Sequence, residues 1–266
     1  DLFNLRTGGH VSLQDLLKSI SFEHLPGNLR TGLEEILANL FADDRLQPAL
    51  ARNHCLGNLL IASAICRCAA DSEIGAEAVE EGLDYLAVLI GAGKGRVLPC
   101  TTTPAILKVL YSNGVMVTGE NKLGSNMRNY PVDRVLVGFS DRPHVLPVIW
   151  EIIAKADIII FAPGSLYSSI VPILQVPGIP EAVHNNKSAL KILVANLWVQ
   201  EGETDIAMED PDRRFYISDL IKAYNRNIPG GVQELFHQII LLGMQDVPGN
   251  ILQRYAVEGK VPIFLD

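Results

Sequence analysis

Two apolar runs, Ile158-Ile159-Ile160-Phe161 and Ile192-Leu193-Val194, most narrow what this chain can fold into. Each is continuous rather than alternating, the pattern of a parallel strand that points apolar side chains into helix layers on both faces. Pro147 to Lys155 carries a helical pattern directly ahead of the strand expected at Asp157 to Phe161, and Ile217 to Tyr224 carries another after the strand expected at Lys191 to Ala195. Helices and strands thus alternate. The expected fold class is α/β, a Rossmann-like three-layer fold with a mostly parallel sheet.

Upstream, the pattern is helical. Leu29, Leu33, Ile36, Leu37, Leu40 and Phe41 recur at helical spacing with Glu34 and Glu35 turned away, which predicts an amphipathic helix opening at Pro26-Gly27-Asn28. Leu56 to Ala69 is apolar or small on nearly every side and predicts a buried helix, and Ala76 to Ile90 predicts a third, ending at Gly91. Short apolar runs bounded by turn residues predict further strands at Arg96 to Pro99, Val115 to Thr118, Val132 to Phe139, Gln238 to Leu242 and Val261 to Leu265. The turn-rich stretch Thr101 to Val135 is expected to form a small antiparallel β-rich insertion. No Ser/Gly/Pro-rich linker interrupts the 266 residues, so residues 1–266 are expected to form one domain.

Charge narrows the partners. A net charge of −8 with no Lys/Arg cluster opposes attraction to nucleic acid or anionic lipid, so neither is an expected partner. No apolar run approaches the roughly 18 residues of a membrane span. Cys55, Cys66, Cys68 and Cys100 follow neither a zinc nor a disulfide spacing and read as reduced core residues. The chain reads as a soluble, cytoplasmic protein. It contains no P-loop, no Gly-x-Ser-x-Gly elbow, no His-Glu-x-x-His and no Gly-x-Gly-x-x-Gly after a strand, which leaves the mechanisms built on those motifs unsupported.

In an open α/β sheet, ligands sit beyond the carboxyl ends of the strands. The strand at Asp157 to Phe161 ends in Ala162-Pro163-Gly164-Ser165-Leu166-Tyr167-Ser168-Ser169, where Gly164 permits a tight turn and Ser165, Ser168 and Ser169 add hydroxyl donors around an anion. A plain connecting turn is the alternative. The next strand ends in Asn196, Gln200, Gly202, Glu203, Thr204 and Asp205, groups that hydrogen-bond a base, sugar or phosphate, with Glu203 and Asp205 able to hold Mg²⁺ or act as bases; a solvated acidic loop is the alternative. His54, Gly57 and Asn58 open the buried helix, and Asn28 and Arg30 open the first one, so both starts present amides to an anion, or else are simple caps.

Taken in order, Pro26-Gly27-Asn28-Leu29-Arg30, His54 with Leu56-Gly57-Asn58-Leu59-Leu60, Val97-Leu98-Pro99 with Thr101, Gly119-Glu120, Pro163 to Ser169, Asn196 with Gln200 and Gly202-Glu203-Thr204, and Pro262 to Asp266 resemble the 2-phospho-L-lactate transferase (CofD-like) superfamily. The turn Pro163-Gly164-Ser165-Leu166-Tyr167 is similar to the gluconeogenesis-factor (YvcK-like) branch rather than to the Gly-Pro-Ser-Asn-Pro form of the transferases. That resemblance implies a nucleotide or nucleotide sugar, such as UDP-N-acetylglucosamine, as the small-molecule partner, and a role in central carbon or cell-envelope metabolism. The ligand-binding residues it implies are Asn28, Arg30, His54, Gly57, Asn58, Thr101, Pro163, Gly164, Ser165, Leu166, Ser168, Ser169, Asn196, Gln200, Gly202, Glu203 and Thr204, with no catalytic residue assigned. Two alternatives stay open: a phospholactyl-type transferase using a nucleotide diphosphate carrier and Mg²⁺ held by Glu203 or an N-terminal Asp, and a metabolite-sensing scaffold. Homodimerisation is also open. The family's N-terminal strand with Gly-Gly-Gly-Thr-Gly and its Asp-Asp-Gly-Gly segment are not recognisable, and Gly8-Gly9-His10 does not replace them; two expectations stay open, that the polypeptide lacks these phosphate and metal elements and with them the transferase activity, or that they lie outside this chain.

Overall fold

The computed structural model describes residues 6–7, 24–52, 54–69, 74–119, 130–200, 203–204 and 214–266. Gly8-Gly9-His10, Glu120, Gly202 and Asp205 lie outside the described residues. The chain divides into two compact units, Asp1–Thr102 and Thr103–Asp266.

The first unit is mainly helical. After β1 (Arg6–Thr7), its elements are α1 (Gly27–Ala42), a short α2 (Gln47–Leu50), β2 (His54–Cys55), α3 (Leu56–Cys68) and α4 (Ala76–Leu89), with β1 and β2 paired antiparallel. The apolar stripe read from the sequence is the buried one: Leu33, Ile36, Leu37 and Leu40 of α1 pack with Leu56, Leu59, Leu60 and Ala64 of α3. A polar clasp fixes this crossing, since buried Ser63 donates to the Ile36 carbonyl at 2.7 Å while Asn39 donates back to Ser63 Oγ at 3.1 Å. Gly82 sets the approach of α4 to α3, because a Cβ there would stand 2.6 Å from the Ile65 Cα. The four cysteines are free thiols; Cys66 is buried, whereas Cys55, Cys68 and Cys100 are only partly so.

One expected strand is absent from this unit. Arg96 to Pro99 runs as turns and irregular chain. Gly93 and Gly95, just ahead of it, have φ of 86° and 68°, and the Gly95 N–H is held by the Asp84 carboxylate at 2.7 Å, so the chain curls where a strand must run extended. His54 also departs from expectation. It lies in β2, and Cys55 rather than His54 stands at the N-cap of α3.

The second unit carries the α/β character. Its elements are β3 (Ala105–Tyr111), β4 (Met116–Thr118), β5 (Val132–Phe139), α5 (Pro147–Lys155), β6 (Ile158–Phe161), α6 (Val171–Leu174), α7 (Ile179–Asn185), β7 (Leu190–Val194), α8 (Ile217–Asn227), β8 (Gln238–Ile240) and α9 (Gly249–Val257). Strands β4, β3 and β5 form an antiparallel sheet in that order, the β-rich insertion anticipated from turn residues, while β6, β7 and β8 form a parallel sheet. Side chains cap β5: Asn227 accepts from the Val135 N–H at 2.7 Å, and Gln175 accepts from the Val137 N–H at 3.0 Å and donates to the Val135 carbonyl at 2.7 Å. Three backbone groups of the strand are thus satisfied by amides from the end of α8 and the residue after α6.

In the parallel sheet, Phe161, Lys191 and Leu193 are buried, whereas Ile158 and Ile160 on the opposite face are 55% and 59% exposed. A continuous apolar run satisfies the periodicity of either face, so it does not reveal which one the chain covers. Buried Lys191 directs its Nζ to the Glu234 carbonyl at 3.1 Å, and burial, helped by nearby Lys187, lowers its pKa. The expected strand Val261 to Leu265 is instead two isolated bridges, Trp198 with Pro262 and Tyr216 with Phe264. Pro262 has no N–H to give a ladder, and the two bridges face different partners. Among the described residues, no helix is long and apolar enough to cross a membrane.

Candidate functional site

Strand β6 ends at Phe161, and the chain turns through Pro163 and Gly164 into a wide π-type turn, Leu166–Ile170, that runs straight into α6. The turn is wide because the Ser165 carbonyl accepts from the N–H groups of both Ser169, at 3.1 Å, and Ile170, at 3.0 Å. Ser165 closes its start by accepting from the Ser168 N–H at 3.1 Å. Leu166 and Tyr167 are buried and anchor the turn, Ser165 and Ser168 are partly buried, and Pro163 and Ser169 are exposed. Leu166 therefore serves by packing, and it presents only its backbone amide to the site.

The acidic turn after β7 faces this one. Glu203 Oε1 accepts from the Ser165 hydroxyl and, at 2.9 Å, from the Ser168 hydroxyl, while Oε2 accepts from the Tyr167 N–H at 3.0 Å. Asn196 and Gly164 exchange a reciprocal pair, Gly164 N–H to Oδ1 at 3.0 Å and Nδ2 to the Gly164 carbonyl at 2.7 Å. Gln200 Oε1 takes the Leu166 N–H at 3.2 Å, and buried Thr204 accepts from the Gln200 N–H at 2.8 Å. The donors of the serine turn thus converge on an anionic group, and that group is the chain's own carboxylate.

Glu203 does not fit a Mg²⁺ site as it stands. Mg²⁺ demands octahedral oxygen coordination, whereas both oxygens of this carboxylate already accept hydrogen bonds. Among the described residues, no three His, Cys, Asp or Glu side chains come together to hold a metal ion.

The remaining expected residues belong to the first unit. Asn28 and Arg30 are exposed on the first turn of α1; Pro26 is the N-cap there, without a side-chain cap bond, so Asn28 does not cap. Arg30 pairs with Glu34 at 2.9 Å. Gly57 and Asn58 sit in the first turn of α3, Gly57 buried and Asn58 exposed, and His54 and Thr101 are partly buried.

Sequence reading missed a cavity of 570 Å³ in the second unit. Its walls include Asp133 at the start of β5, Tyr167 behind the serine turn, and Phe215, Lys222 and Arg226 on and before α8. Arg226 pairs with Asp133, and Lys222 stands 3.5 Å from Asp219. The Tyr167 side chain is almost wholly buried, which pushes its pKa up to about 12; Glu203 and Asp133 add to the shift and Arg226 opposes it. No local pattern could have revealed this set, because Asp133 and Arg226 are 93 residues apart.

A family model for the 2-phospho-L-lactate transferase CofD matches residues 4–266. The chain belongs to the CofD family. Within that family, it is 31% identical over 250 residues to a putative gluconeogenesis factor of Thermotoga maritima, covering 91% of this chain and 70% of the relative. It is 30% identical over 247 residues to the gluconeogenesis factor of Bacillus subtilis, again with 91% and 70% coverage. Of a putative gluconeogenesis factor of Clostridium acetobutylicum it spans only 40%, at 33% identity over 202 residues and 75% of this chain. A crystal structure of a UPF0052-family protein from Bacillus halodurans superposes with a TM-score of 0.64 at 25% identity, covering 98% of this chain and 78% of that one. The family membership and the mixed α/β fold expected from the sequence are both established by these likenesses, and they support a role related to that of the gluconeogenesis factors.

Proposed function

We propose that this CofD-family chain binds a nucleotide or nucleotide sugar of the UDP-sugar kind, in central carbon or cell-envelope metabolism, and that the serine turn receives the phosphate. One observation carries the reading: the Tyr167 N–H and the Ser165 and Ser168 hydroxyls already hold an anion, the Glu203 carboxylate. A phosphate oxygen makes the same demands on donors as a carboxylate oxygen, so the incoming ligand takes the place of Glu203. Asn196 and Gln200 hold the Gly164 and Leu166 amides in position from the facing turn. The unbroken family match across both compact units supports treating residues 1–266 as one domain.

Titration calorimetry with UDP-N-acetylglucosamine, UDP and GDP tests this reading. Binding of at least one of them is expected, weakened about tenfold by Ser168→Ala, which removes one hydroxyl donor to the anion. Absence of heat with all three ligands overturns it.

A further inference from the structure

We propose that the open face of the β4-β3-β5 sheet is a docking surface for an amphipathic helix of another protein, one whose apolar stripe is flanked by Asp and Glu. The inference stands apart from the serine turn and its ligand.

An antiparallel sheet with one face on the core normally alternates, apolar side chains inward and polar ones outward. The inner half obeys this, with Val109, Tyr111 and Val135 buried. The outer half does not. Register sets Lys108 opposite Thr118 and Leu136, and Leu110 opposite Met116 and Arg134, so all six share one face with Ile106. Of these, Ile106, Met116 and Leu136 are 56%, 51% and 44% exposed. A contiguous apolar patch turned to solvent on a sheet is the mark of a surface that a partner covers.

Charge selects the partner. Lys108 and Arg134 are both exposed, and among the described residues this face carries no Asp or Glu, although the chain's net charge is −8. Gly138 leaves room for the Lys108 stem to lie across β5, since a Cβ there would stand 3.6 Å from the lysine Cε and 3.8 Å from its Nζ. The stem thus widens the apolar surface and leaves the ammonium at its margin. Arg134 meets Asp133 only at 3.8 Å, which leaves guanidinium N–H groups for an incoming carboxylate. A second copy of the chain would set these cations against themselves, because a two-fold interface faces its own image. An anionic membrane or a nucleic acid would meet the chain's overall negative charge with two cations to offset it. Apolar side chains bordered by carboxylates satisfy both halves of the face.

The dimensions favour a helix. Three strands span about 10 Å between the outer two, and the seven residues of β3 run for about 20 Å. A helix of about 14 residues is roughly 21 Å long and 10–12 Å across, so it lies along β3 with its i, i+3, i+4 and i+7 side chains on the patch. An added strand would instead pair with the β4 edge and leave the face bare.

Methyl NMR on the full chain tests this with three synthetic 14-residue helices that share one leucine stripe and carry Glu, Lys or Ser along its flanks. The Glu peptide is expected to bind at least about tenfold more tightly than the Lys peptide at low salt, with shifts concentrated at Ile106, Leu110, Met116 and Leu136, and added salt should weaken it. Lys108→Gln with Arg134→Gln should weaken the Glu peptide about tenfold, and Lys108→Glu with Arg134→Glu should reverse the preference, which a chain that had lost its fold could not do. Equal binding of the three peptides, shifts centred elsewhere, or no binding of any of them overturns the proposal. An unreversed preference in the charge-reversed chain, with its melting midpoint kept, does the same. Two rival occupants would also overturn it: dimerisation in sedimentation velocity that Ile106→Glu abolishes, or co-sedimentation with phosphatidylserine vesicles that the charge reversal abolishes.

Discussion

Replacing Glu203 with Gln keeps the shape of the side chain and removes its charge, which separates its two roles. In the folded chain, the carboxylate accepts from the Ser165 and Ser168 hydroxyls and the Tyr167 N–H. Hydrogen bonds to a charged group contribute about 1.5–3 kcal/mol each when well shielded. Glu203 is only partly buried, so solvent screens it and the lower end applies. Losing the charge should destabilise the chain by about 1–2 kcal/mol, read by urea denaturation, and a double-mutant cycle with Ser168→Ala should show a coupling of about 1 kcal/mol. Ligand affinity should move the other way. Without the competing charge, a phosphate enters the same donors unopposed, and UDP binding measured by calorimetry should tighten by about three- to tenfold, the equivalent of roughly 1 kcal/mol. Weaker UDP binding by Glu203→Gln than by the parent chain would show that the carboxylate assists the ligand rather than standing in for it. Additivity of the two substitutions within about 0.3 kcal/mol would show that the serine–glutamate contact carries no energy of its own.

Three further outcomes follow from the geometry. Asn196→Ala removes both bonds to Gly164, at 3.0 and 2.7 Å, and should cost about 1–3 kcal/mol in denaturation while loosening the serine turn, seen as faster amide exchange at Leu166 and Tyr167. Because Tyr167 ionises only at about 12 when folded, against about 10 when unfolded, its contribution to stability is complete below pH ~10 and is lost as the pH rises through about 12; ultraviolet titration of the phenol, compared with Tyr167→Phe, checks this. Gly82→Ala drives a Cβ to 2.6 Å from the Ile65 backbone and should cost about 1–3 kcal/mol, whereas Gly75→Ala, with no atom within 4 Å, should leave the midpoint nearly unchanged in thermal melts.

Much of the fold was legible because local pattern and burial agree. Pro147–Lys155 forms the helix its sequence indicates, and α1 buries the Leu33, Ile36, Leu37 and Leu40 stripe that helical spacing picked out. Arg96 to Pro99 failed because two apolar side chains resemble a strand wherever the backbone goes, and glycines with positive φ send it into turns. Val261 to Leu265 failed for want of one continuous partner. Strand β3 (Ala105–Tyr111) was concealed within a stretch read only as β-rich, since its pairing with β4 and β5, rather than any alternation of its own, makes it a strand. In the candidate site, the serine turn and the Asn196-to-Thr204 segment were both visible as strand-end loops, but their exchange of hydrogen bonds was not.

The helix stripes, the parallel-strand runs and the polar turns that close them are legible without coordinates because each is written in residues close together along the chain, and the motif order of the CofD family is legible because it is an order along the chain. Tertiary structure alone decided that Glu203 fills the serine turn, that one face of the parallel sheet bears exposed Ile158 and Ile160, and that Asp133, Tyr167 and Arg226 share a cavity. Those outcomes depend on which distant segments meet when the chain closes, and side-chain periodicity carries no record of such encounters.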